Sequence, residues 1–158
     1  MESELGAVVG AVATILVGVS AAIGAIATGW LTRRSEKKAI QAAILAEVSA
    51  LAMLVKSRRY REDLQKAADH VRKTKAVWGM KVPVPEHYCR IYAANVTSIG
   101  LLPADQAGKV VRFYQLIDSV VQDVSPGGAL ATGTNIPESF LEARQLLDEA
   151  LGIADSLK

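Results

Sequence analysis

The sequence predicts an all-α protein, a single N-terminal transmembrane helix continuing into a cytosolic antiparallel helical bundle. Three observations predict it. Leu5–Thr32 is a run of twenty-eight residues without a charge, and about 20 apolar residues suffice to cross a bilayer as a helix. Beyond that run, apolar residues recur at spacings of three and four, the mark of helices with one apolar face, and no stretch alternates as a strand would. Finally, 51% of the 158 residues are apolar, only 5% are aromatic, and mean hydropathy is +0.24. Such a composition excludes a disordered chain, a disulfide scaffold and a wholly soluble globule, and it names no activity. The natural division is an anchor over residues 1–34 and a helical domain over 35–158.

The span comes first. Glu2 and Glu4 precede the apolar run and Arg33, Arg34, Lys37 and Lys38 follow it. A cleaved signal would carry its positive charge in front and a shorter apolar stretch, so a retained anchor is expected. Positive charge stays on the cytoplasmic side, which predicts an inner-membrane, single-pass protein with its C-terminal domain in the cytoplasm. The same four cations lie at headgroup height and suit anionic lipid. Within the span, Gly6 and Gly10 form a GxxxG element, and the ladder continues through Thr14, Gly18 and Ala22. Small residues at that spacing let helix backbones approach closely, so a homo-oligomer packed through the span is expected. Thr14, Ser20 and Thr28 are the hydroxyls available to line a pore.

Ser35–Val77 contains no Pro or Gly and is rich in good helix formers, which predicts one long helix. Its stripe is Ile40, Ile44, Val48, Leu51 and Val55, then Leu64, Ala67 or Ala68, and Val71. Gly79, Pro83 and Pro85 end it as a connector. Next come a helix over about Glu86–Ser98 with Gly100 as C-terminal cap, and a helix over about Pro103–Val124. The stripe of the latter is Val110, Val111, Tyr114, Ile117, Val120, Val121 and Val124. Ser125–Asn135 reads as a flexible loop. Asn135 then caps a last helix, with Pro137 in its first turn and Glu138 near its N-terminus. Phe140, Ala143, Leu147, Ala150, Leu151 and Ala154 form that helix's stripe.

Charge is divided within the helical domain. Residues 33–90 carry fourteen Lys/Arg against six Asp/Glu, net +8, and residues 91–158 carry four against eight, net −4. The two halves complement each other within a chain or between chains. Lys56, Arg58, Arg59 and Arg61 surround Tyr60, a grouping that suits an anionic or nucleotide ligand. The plain alternative is a solvated helix face, with Arg58 paired to Glu62 and Arg59 to Asp63 at the favourable spacing of four. From Arg34 to Arg58 is twenty-four residues, about 36 Å along a straight helix, several Debye lengths of about 8 Å. Lipid headgroups are therefore poor partners for this cluster.

Other constellations are thin. Cys89 is the only cysteine, so no internal disulfide forms, in keeping with a reducing cytosol. His87 and Cys89 diverge on a helix and His70 is distant, so no metal site is expected. No Gly-rich phosphate loop, HExxH, GxSxG or pair of catalytic carboxylates occurs. An enzyme, a cofactor and duplex nucleic acid are not expected. Tyr92, Asn95, Gly100 and Pro103 make an idiosyncratic corner, where Asn95 can bond loose backbone groups at the helix end.

That corner, Tyr-x-x-Asn-x-x-x-Ile-Gly-x-Leu followed by Val-Val-x-Phe-Tyr, spans Tyr92–Tyr114. It resembles a group of small bacterial membrane proteins with one N-terminal span and a helical cytosolic domain. The resemblance implies a bacterial inner membrane and this topology, and it carries no catalytic residue across. In layout alone the chain is also similar to the cyclic-oligoadenylate-binding membrane effectors of type III CRISPR systems. Two functions follow as expectations. The first is an inner-membrane protein that self-associates through its span and uses its cytosolic domain for interaction or regulation. The alternative is a nucleotide-gated effector of a defence system that perturbs the membrane on binding its ligand.

Overall fold

The computed structural model describes residues 34–158. The span expected over Leu5–Thr32, its packing residues Gly6, Gly10, Thr14, Gly18 and Ala22, and Arg33 lie outside the described residues. The chain divides into two units, Met1–Ala39 and Ile40–Lys158. Of the first, the described residues are the opening turns of a helix, where Arg34, Lys37 and Lys38 are exposed.

Among the described residues the chain is mostly helical and has no strand. The helices are α1 (Arg34–Ser57), α2 (Tyr60–Thr74), α3 (Arg90–Asn95), α4 (Ala104–Val124), α5 (Ala129–Thr132) and α6 (Pro137–Ser156), with a 3-10 turn at Val96–Leu101 between α3 and α4. α6 packs against both α2 and α4. The core draws on Ile44 and Val48 from α1, Leu64 and Val71 from α2, Phe113 and Tyr114 from α4, and Phe140 from α6. The stripe expected for the last helix is buried at every one of its six positions. Polar contacts across to α6 pair rising numbers with falling ones: Lys56 with Asp155, Arg61 with Asp148, and Gln65 with Arg144. The basic first half thus meets the acidic second half within one chain.

α1 is long and apolar enough to cross a membrane, with a mean hydropathy of 1.7. Length and composition alone meet that test. Its Ile44, Val48, Ala52 and Val55 are buried in the bundle core, and its Glu47 is hydrogen-bonded to other helices.

The single helix expected over Ser35–Val77 is broken. Arg58 and Arg59 form a turn, and Arg59 is left-handed at φ 57° and ψ 32°. For a residue with a Cβ that conformation costs about 1–2 kcal/mol, so tertiary packing, not local preference, sets the corner. The Arg59 carbonyl accepts the Asp63 N–H at 3.1 Å and so begins α2. Lys75, also left-handed, ends α2 by donating its N–H to the Val71 carbonyl.

Three further expectations change. The helix foreseen at Glu86–Ser98 is only the six residues of α3, followed by the 3-10 turn, and Gly100 lies inside that turn and does not cap α3. The loop foreseen at Ser125–Asn135 contains α5. It is entered through Gly128, where a Cβ would stand 2.0 Å from the Gln122 carbonyl oxygen, so no larger residue fits. Ile136, not Asn135, is the N-cap of α6, with Pro137 beginning the helix.

The connector after α2 is an extended strap. Trp78 and Thr134 exchange both backbone hydrogen bonds at 3.0 Å, Met80 N–H donates to the Leu130 carbonyl at 2.7 Å, and Val82 N–H donates to the Val124 carbonyl at 3.1 Å. Met80, Val82 and Val84 turn inward onto the core while Lys81, Pro83 and Pro85 stay exposed.

Candidate functional site

The strap and the α1–α2 corner together enclose a groove of about 570 Å³. Leu51, Leu54 and Val55 of α1 form one wall, Val120, Val121 and Val124 of α4 another, and the strap runs along it. Arg58, Tyr60 and Lys81 bring the polar groups of the lining, with Asp63 and Tyr88. The corner explains why the cluster around Tyr60 does not act as one patch. A continuous helix would carry these residues round a single cylinder; the left-handed Arg59 turns Arg58 and Tyr60 to the groove.

The five residues foreseen as an anion site therefore separate. Lys56 Nζ pairs with Asp155 at 3.1 Å, and Arg61 pairs with Asp148. Both partners come from α6, far away in sequence. The local pairs Arg58–Glu62 and Arg59–Asp63 do not form. Asp63 pairs with Lys66 at 3.3 Å, and among the described residues Arg58 and Arg59 make no ion pair.

A second constellation was not foreseen. The Glu47 carboxylate of α1 accepts the backbone N–H of Ile91 at 2.9 Å and of Tyr92 at 2.8 Å. It also accepts the Tyr114 hydroxyl at 2.7 Å. Ile91 and Tyr92 lie in the first turn of α3, whose N–H groups have no partner within the helix. α3 has no side-chain cap of its own, so α1 supplies the cap from a distance. A carboxylate there also meets the positive end of the helix dipole. The Tyr92 ring stacks on Tyr114, with centroids 3.9 Å apart, and Phe113 meets Tyr114 edge-on at 5.3 Å. Burial, then the hydrogen bond to Glu47, push the Tyr114 phenol well above its ordinary value. Burial and the Glu47 charge also raise the Cys89 thiol, which keeps it protonated at neutral pH. The sequence signal was present: Glu47 is the one charge between Ala39 and Val55, three residues after Ile44 and four before Leu51, on the buried side.

Three of the four corner residues find structural tasks. Tyr92 joins the Glu47 constellation, Asn95 donates its side-chain amide to the Ile91 carbonyl at 2.8 Å, and Pro103 precedes α4 as its N-cap. Gly100 has open space where a Cβ would stand. Nearby, the Tyr88 hydroxyl donates to Asp118, whose carboxyl is raised by burial. Among the described residues no three His, Cys, Asp or Glu side chains gather as a metal site would need. No protein-family model matches the chain, and no curated protein or solved structure matches it either.

Proposed function

We propose that this is a single-pass inner-membrane protein that self-associates and presents a cytosolic antiparallel helical bundle for interaction or regulation. The observation that carries the reading is the uncovered face of α1. Ala42, Ala46, Ala50 and Met53 lie on the side opposite Ile44, Val48, Ala52 and Val55, and all four are exposed. No charge interrupts that side from Ala39 to Val55. An apolar helix face calls for cover, and one chain leaves this one open. Alanines at intervals of four allow close approach of a second helix. The covering element in this reading is α1 of another copy, in line with the small-residue span. The low-against-high pairing of α1 and α2 with α6 supports the antiparallel arrangement.

Cysteine crosslinking of the full chain in native membranes tests the reading, with Cys89→Ser as background. A short bis-maleimide should join Ala46→Cys to a second copy and leave Gln145→Cys on α6 monomeric. A monomer from both positions would overturn self-association through α1.

The nucleotide-gated alternative draws support from Arg58 and Tyr60, which share the groove. It also requires Lys56 and Arg61 to exchange Asp155 and Asp148 for phosphate. Calorimetric titration with cyclic nucleotides tests it, and absence of heat from the whole set removes it.

A further inference from the structure

From the groove between the strap and the α1–α2 corner we infer a binding site for a single-chain amphiphile with an anionic head. The inference is independent of self-association. Its volume of about 570 Å³ falls within the usual range of roughly 300–1,000 Å³ for small-molecule sites.

The lining decides the chemistry. Beside its aliphatic walls it contains no Ser, Thr, Asn, Gln or His side chain. Its only hydroxyls are on Tyr60 and Tyr88, and that of Tyr88 is donated to Asp118. A nucleobase would bury donors and acceptors there without partners, which is costly, whereas an alkyl chain asks for none. The inward alternation of Met80, Val82 and Val84 gives the chain a continuous apolar wall.

The head follows from charge. Arg58 and Lys81 belong to the lining, both are exposed, and among the described residues neither makes an ion pair. The opposing acid, Asp63, is engaged by Lys66 at 3.3 Å. The guanidinium of Arg58 offers a fork suited to a carboxylate or phosphate.

The test uses the full chain extracted with its lipids into polymer-bounded discs, so that no detergent competes. Photoactivatable diazirine probes are compared: a long-chain fatty acid, its alcohol, and an anionic lysophospholipid. The acid, the lysophospholipid or both should label Leu54, Val82 or Val121 saturably, and which of them labels identifies the source of the head. The alcohol should label at least fivefold less. Arg58→Gln with Lys81→Gln should bring the anionic probes down to the alcohol's level. Leu54→Glu, at an exposed position that tolerates the change, should repel them at unchanged helical content. Labelling elsewhere, equal labelling by the alcohol, or indifference to these substitutions would overturn the proposal.

Discussion

Two of the polar joints that tie α1 to the rest of the bundle differ in kind. At Glu47 one carboxylate accepts three hydrogen bonds from α3 and α4 beside a stacked pair of tyrosines. At Lys56 an ammonium meets Asp155 of α6 with both side chains about half exposed. Water readily replaces either partner of the second joint, and such surface pairs contribute little. The donors of the first joint have nowhere else to turn, so its loss leaves polar groups stranded. Being formally charged thus says little about how much a side chain holds this fold together; what matters is the number of donors left behind.

Substitutions break the comparison in order of size, each read by thermal unfolding of the full chain in lipid discs. Glu47→Ala strands two N–H groups and a hydroxyl and should cost about 3 kcal/mol. Glu47→Gln keeps one acceptor oxygen and should cost roughly half as much; equal losses from both would mean that charge, not acceptor number, matters. Tyr114→Phe preserves the stack, removes one donor and should cost about 1 kcal/mol. It should also change the alkaline limb. A phenol raised by folding contributes stability that is present below its unfolded value of about 10 and is lost as pH rises towards the folded value. The variant should therefore lose less stability than the parent in that range. Asp155→Asn should be the smallest, a slight loss at neutral pH that disappears in acid. Hydrogen bonds from Lys158 and then Lys56 lower the Asp155 carboxyl. That contribution is present above the ordinary carboxylate range and is lost as pH falls through the lowered value. A shallower acid limb in the variant would show it.

What the sequence made legible follows the same division. The stripe of α6 and most of that of α4 could be read position by position, because burial against neighbouring helices enforces a period of 3.6. The α1–α2 corner could not. Neither Gly nor Pro marks it, and an arginine in the left-handed region has no local signature. Only packing against α6, with Arg61 on Asp148 and Gln65 with Arg144, requires α2 to turn there. The basic cluster looked whole for the same reason, since its acidic partners are about ninety residues away. Glu47 is a lesson of another sort. A single acid within an apolar run was visible, but the start of α3, where two of its donors lie, fell inside a longer expected helix.

That short helix has a kinetic consequence. Six residues are too few to hold a helix in water, where nucleation is costly and isolated helices shorter than about 12 residues are marginal. α3 is therefore expected to form late, once α1 and α4 have met and Glu47 stands ready to receive it. The amide protons of Ile91 and Tyr92 then act as clocks for that meeting. In hydrogen exchange they should stay protected only as long as α1 is docked, and reveal its first departure while the protons of α6 still hold.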